Sequence, residues 1–180
     1  MIEKIARKVK NTPNLRFRRL ISMPYLSYRF LRRRTGIPNY KIDSINGIKY
    51  RLDLNELIDY SIFMNGYFEK STHTAIQKLC KRNMNVVDIG ANIGAHTFNL
   101  AKIVGEKGSV LAFEPMEWAF NKLKNNYDLN NFSNIILENI GLSDETIDKE
   151  EHFRSSWPVD KKTLSRLFTD QTKEIDSNNV

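Results

Sequence analysis

The run Asp88-Ile89-Gly90-Ala91-Asn92-Ile93-Gly94 holds the residue types from which a ligand loop is built. It follows the apolar pair Val86-Val87 and leads into a helical pattern predicted from Gly94 to Val104. Gly90 has no Cβ, so the chain can turn sharply from strand to helix and bring its backbone close to a bound molecule. Exposed N–H groups at the start of that helix suit a carboxylate or a phosphate. Twenty residues past Gly94, Glu114 closes a second predicted strand, where a carboxylate can accept hydrogen bonds from both hydroxyls of a ribose. A nucleotide-like ligand is therefore expected.

The glycine spacing narrows the choice of ligand. A dinucleotide pyrophosphate calls for G-x-G-x-x-G, whereas Asn92 stands where the second glycine would be. Asp88, just before the turn, suits the ammonium of methionine better than a pyrophosphate. The set points to the sulfonium cofactor S-adenosyl-L-methionine. A glycine-rich loop taken alone reads equally as a plain turn; the strand and helix context, Asp88, and Glu114-Pro115 at the right separation favour the ligand site.

Elements that could position these residues are visible in the patterning. Val86 to Ile89, Val110 to Phe113 and Ile135 to Leu137 are short apolar strands. Between them lie the Gly94 to Val104 helix and a helix from Met116 to Leu129, with Phe120, Leu123 and Tyr127 on one face. Strand and helix in alternation, with short connections, imply a parallel sheet with right-handed crossovers. Upstream, Lys41 to Leu54 reads as a β-hairpin about Asn46-Gly47, a pair suited to a type I′ turn. Helices follow from Glu56 to Asn65, stopped by Gly66, and from Ser71 to Lys81, where Ile76, Leu79 and Cys80 share a face.

Charge divides the chain unevenly. Residues 1–34 carry eleven Lys/Arg and one acid, a net of +10 against +7 for all 180 residues, so the remainder holds −3. A domain organisation follows: a basic amphipathic arm over 1–38, interrupted by Pro13 and Pro24, then an α/β domain over 39–180. The arm reads either as a segment that docks on an anionic membrane surface or as a solvated extension packed on the domain; a transit peptide is a third reading, against which stands the scarcity of serine. The mildly acidic body argues against a nucleic-acid partner. One cysteine, Cys80, and three scattered histidines give no disulfide and no zinc spacing, which points to a reducing, cytoplasmic setting and no metal. No apolar run is long enough to span a bilayer. Asn131-Phe132-Ser133 fits the N-glycosylation pattern and is read as a chance match, because the N-terminus has no signal-peptide pattern.

From Leu52 to Glu145 the chain resembles the FkbM family of S-adenosylmethionine-dependent methyltransferases. The similar stretches are Asp59 to Phe63, Gly66 to Glu69, Asp88 to Gly94 with Thr97, Ala112 to Pro115, Asn125-Asn126, Asn130-Asn131 and Leu142 to Asp144. The resemblance implies a Rossmann-like class I methyltransferase fold that acts on hydroxyls of sugars, glycans or other small molecules. It implies that Asp88, Gly90, Ala91, Asn92, Gly94 and Thr97 line the methionine side of the cofactor, while Glu114 and Pro115 hold the ribose. Adenine recognition then falls to Asn139 or to backbone near Leu142, because the acidic or amide side chain usual after the third strand is replaced by Gly141.

A hydroxyl acceptor gains from a general base. His96 lies beside the loop and is one candidate, with a helix-surface or packing role as the alternative, so no catalytic residue is assigned. In the family pattern a segment similar to Thr163-Leu164 leads into a fourth strand, and here the sequence ends at Val180. The expectation is an incomplete sheet with Val86 and Val87 on an unpaired edge. A non-catalytic remnant that binds the cofactor, a membrane or another polyanion is accordingly the competing reading.

Overall fold

The computed structural model describes residues 27–28, 30–32 and 34–142. The expectations for the arm over 1–26 and for residues beyond 142, including Thr163-Leu164, lie outside the described residues.

The predicted hairpin is present as β1 (Tyr40–Ile45) and β2 (Ile48–Asp53), paired antiparallel with Ile45 opposite Ile48. Asn46 (φ 54°) and Gly47 (φ 75°) both take the left-handed conformation that a type I′ turn needs. Along β2 the residues alternate: Ile48, Tyr50 and Leu52 are buried, and Lys49 and Arg51 face solvent.

Helix α1 (Leu57–Asn65) ends on Gly66, whose φ of 85° and N–H bond to the Ile62 carbonyl form a left-handed cap. Helix α2 (Lys70–Leu79) places Ile76 and Cys80 against the core. Leu79 is 71% exposed, which corrects the expectation that all three share a buried face. Then β3 (Asn85–Ile89), α3 (Thr97–Val104), β4 (Ser109–Phe113), α4 (Glu117–Asp128) and β5 (Ile135–Glu138) alternate as expected. The three strands are parallel in the order β3-β4-β5, with Ile89 opposite Phe113 and Phe113 opposite Glu138. Among the described residues β3 pairs with β4 alone. Val86 packs against the core, while Val87 is 56% exposed. The architecture is α/β, a Rossmann-like parallel half-sheet preceded by a hairpin.

The hairpin does not sit passively beside this sheet. Three amides spaced two apart on β2 donate to side chains from α1, from α4 and from the turn after α4: Lys49 N–H to Asn130 Oδ1 (2.9 Å), Arg51 N–H to Asn126 Oδ1 (2.7 Å) and Asp53 N–H to Asp59 Oδ1 (2.6 Å). Asn130 Nδ2 returns a bond to the Lys49 carbonyl at 2.8 Å. Asn126 on α4 and Asn130, two residues past its end, thus take the place of a neighbouring strand, and an edge that would otherwise offer unpaired backbone is closed. Lys122 Nζ lies 2.9 Å from both oxygens of Asp59, joining α4 to α1. Burial pushes the Asp59 carboxyl above its ordinary value, outweighing the pull of Lys122 and the Asp53 amide in the other direction. A buried pair of this kind fixes geometry more than it adds stability.

Asn126 is fully buried, and its Nδ2 donates to the Ile93 carbonyl at 3.0 Å. Its removal strands a donor on the hairpin and an acceptor in the 90–94 loop. Asn126→Ala is expected to lower unfolding stability by about 2–4 kcal/mol, the sum of two unsatisfied buried groups. Urea denaturation of the full chain checks this; a loss no larger than that of the exposed control Asn125→Ala would contradict it.

Candidate functional site

Between β3 and α3 the chain needs an unusual turn. Gly90 (φ 79°), Asn92 (φ 50°) and Gly94 (φ 90°) alternate positive φ through five residues. Asparagine is among the few residues with a side chain that accept this region, so Asn92 keeps the backbone path a glycine would give. The glycines on either side have different reasons for lacking a side chain. A Cβ on Gly94 would fall 2.2 Å from the Phe98 ring, whereas a Cβ on Gly90 would meet nothing within 4 Å. Gly94 serves packing, since Phe98 is fully buried, stacked on Phe132 and edge-on to Tyr50. Gly90 borders open space at the end of the sheet.

The helix begins at Thr97, not at Gly94 as the sequence pattern implied, and His96 precedes it without a side-chain capping bond. Residues 92–96 form turns, because the ring of Phe98 occupies the space above Gly94 and the backbone passes around it. Amide availability also differs from expectation. The N–H groups of Gly90 and Ala91 both donate to the Phe113 carbonyl at 2.9 Å, and Gly94 N–H donates to the Ala91 carbonyl. Asn92 N–H donates to Glu114 Oε2 at 2.8 Å. Four loop amides are therefore engaged within the protein and do not form an open anion cradle.

Glu114, 4% exposed, receives Met116 N–H on its other oxygen at 2.9 Å. It closes the loop onto the end of β4, and each oxygen still has a lone pair for a further donor. Asn139 Nδ2 donates to the Glu114 carbonyl (2.7 Å) and the Pro115 carbonyl (3.3 Å), fastening the segment after β5 to the end of β4. Asp88 Oδ2 accepts the Thr97 hydroxyl at 2.6 Å. Asp88, Gly90, Ala91, Asn92, Gly94, Thr97, Glu114, Pro115 and Asn139 thus gather at the C-terminal ends of three parallel strands, where open α/β sheets take their ligands. Leu142 stands farther along the chain and is 49% exposed. The anchoring roles of the Phe113 carbonyl and of Asn126 leave no local sign in the sequence, since both depend on neighbours distant along the chain.

Beside the loop, His96 Nε2 lies 3.9 Å from Glu69 Oε2. Glu69 has a φ of 49°, unusual for its residue type. The Phe68 ring is tilted against His96 with centroids 6.2 Å apart, and His73 stacks on Tyr67 at 5.2 Å. His73 Nδ1 is buried without a hydrogen-bond partner. Among the described residues no cluster of His, Cys, Asp and Glu could hold a metal ion, and no helix is long and apolar enough to cross a membrane.

Fold and loop together define a Rossmann-like α/β arrangement with polar residues gathered at its strand ends. The chain is similar to a particular set of proteins. It is 29% identical over 93 residues to Methyltransferase 1 of Beauveria bassiana (strain ARSEF 2860), a match that covers 52% of this chain and 37% of that protein. The chain therefore spans 37% of the length of that curated relative. Among solved structures, TYW2 of P. horikoshii in complex with MeSAdo is 26% identical, with a TM-score of 0.44 over 58% of this chain and 37% of that one. TYW2 of M. jannaschii in complex with AdoMet is 26% identical, with the same TM-score over 57% and 43%. No protein-family model matches the chain.

Two outcomes follow from this geometry. Gly94→Ala is expected to cost about 2–4 kcal/mol through strain at positive φ and contact with Phe98; Gly90→Ala should cost only about 1–2 kcal/mol, the conformational penalty alone. Urea midpoints of the two variants, compared with the parent chain, check the difference. For His73, burial and then the neighbouring His96 lower its proton affinity. A base so depressed takes up a proton less readily in the fold than in the unfolded chain, so its contribution is present above the unfolded value near 6.5 and is lost as pH falls below it. Stability measured from pH 7.5 to 5 should fall less in His73→Gln than in the parent; equal slopes would contradict this.

Proposed function

We propose that this chain is the cofactor-binding half of an S-adenosyl-L-methionine-dependent methyltransferase of the FkbM type, acting on a hydroxyl of a sugar, glycan or other small molecule. The observation that carries the reading is the site itself. Among the described residues an acid at the end of β3 has one oxygen unengaged, a left-handed loop opens onto free space at Gly90, and Glu114 lies at the end of β4. The similarity to Methyltransferase 1 supports the same chemistry. A nucleoside over Gly90 would place its ribose by Glu114, its adenine along Asn139 to Leu142 and its amino-acid tail by Asp88.

The cofactor supplies an activated methyl group when bound. The protein's task is alignment: transfer from a sulfonium to a hydroxyl is an in-line displacement, accelerated by holding donor and acceptor in register and by keeping water away. No catalytic base is assigned; His96, 3.9 Å from Glu69, is the candidate to receive the acceptor's proton, with a packing role as the alternative. Contact between the basic arm and an anionic membrane surface would be peripheral and cytoplasmic, and its charge of +10 over residues 1–34 supports that reading.

Calorimetry of the full chain with S-adenosylhomocysteine tests the proposal. The parent is expected to bind, and Gly90→Ala, whose new methyl points into ligand space, should bind at least about tenfold more weakly while remaining folded. No heat from a folded parent, or an unchanged Gly90→Ala, would sink the reading.

A further inference from the structure

The resemblance makes Thr97 a residue that lines the cofactor, yet Thr97 is fully buried. Its hydroxyl has one proton to give, and that proton goes to Asp88 Oδ2 at 2.6 Å. We propose that Thr97 is a positioning residue: by holding Asp88 Oδ2 it turns Oδ1 toward the ligand as a receptor for an ammonium, and so selects nucleosides that carry an amino-acid tail. This rests on the proposed S-adenosylmethionine site.

Three observations carry it. First, Thr97 is the opening residue of α3 and Asp88 is the penultimate residue of β3, so the bond spans the turn and fixes the carboxylate against both elements. Threonine is β-branched and restricted about χ1, and its complete burial restricts it further. The carboxylate therefore has little freedom to rotate.

Second, no lysine, arginine or histidine forms an ion pair with Asp88 among the described residues, and Oδ1 has no hydrogen-bond partner there. A half-buried carboxylate at the positive end of a helix, with no cation beside it among the described residues, attracts one.

Third, the ends of β3 and β4 divide the work. Glu114 faces the loop at Asn92 and is held by two backbone amides, a setting suited to hydroxyl donors. Asp88 has only a neutral hydroxyl beside it. A ligand with a cationic amino group is the chemistry that completes it, and a nucleoside without one gains nothing there.

The test compares two ligands that share the adenosine and the thioether and differ in the amino acid: S-adenosylhomocysteine and 5′-deoxy-5′-methylthioadenosine. With the full chain in a calorimeter, Thr97→Val, which keeps the shape and removes the hydroxyl, should weaken S-adenosylhomocysteine about tenfold or more. Affinity for methylthioadenosine should stay within about twofold of the parent. Thr97→Ser should restore most of the loss. Equal weakening of both ligands would make the Thr97 bond a plain staple between α3 and β3, and no weakening of either would show that Asp88 orients itself; each result overturns the inference while leaving the cofactor reading intact. A folded parent that binds neither ligand would remove the cofactor reading and the inference with it. If Thr97→Val fails to fold, Thr97→Ala, which only deletes atoms, replaces it with the same expectations.

Discussion

The structure depends on a single buried amide. Asn126 accepts the Arg51 amide from the hairpin and donates to the Ile93 carbonyl in the loop, and no part of it reaches solvent. A primary amide buried without partners is costly, so α4, β2 and the loop are stable together or not at all. This bond adds to those that the Phe113 carbonyl and Glu114 make with the loop's amides. A helix more than thirty residues later in the chain thus helps to set the loop's path, beyond local preference.

The same logic explains why the site rests on side chains that reach backbone. Glu114 joins two amides, Asn139 joins two carbonyls, and Asn134 Nδ2 covers the carbonyls of Ala101 and Gly105 at the end of α3. Each closes a segment that regular secondary structure leaves open. Strand ends and helix ends meet at such places, and their backbone groups need partners once they are covered. Asparagine and glutamate supply those partners at the ends of the sheet, and what remains unengaged is left for a ligand.

Much of this architecture was legible in the residues. The strand and helix alternation, the parallel sheet and the Asn46-Gly47 hairpin follow from patterns that local chemistry sets, and they are present. The start of α3 was not legible, because Ala95 and His96 tolerate a helix and the obstacle is the Phe98 ring over Gly94, a contact made only after folding. The loop amides were expected to be free, but the Phe113 carbonyl that takes two of them comes from a strand more than twenty residues on. Asn125 and Asn126 look alike in sequence, although one is exposed and the other is the buried link. The spacing of Asn126 and Asn130, four apart at the end of α4 and just past it, is the available hint, and it acquires meaning only beside the edge of β2.

Three carboxylates near the core have three different partners, and the contrast locates the ligand's charge. Asp59 is joined by Lys122 at 2.9 Å, so its charge is matched inside the protein. Glu114 is satisfied by backbone amides, which stabilise a carboxylate without a counter-ion. Among the described residues Asp88 has neither, only the hydroxyl of Thr97. A half-buried anion held in place but not neutralised pays its desolvation for nothing unless a cation arrives from outside. The position of that incomplete pair, beside the open space above Gly90 and across the loop from Glu114, is where the cationic end of an elongated nucleoside would lie.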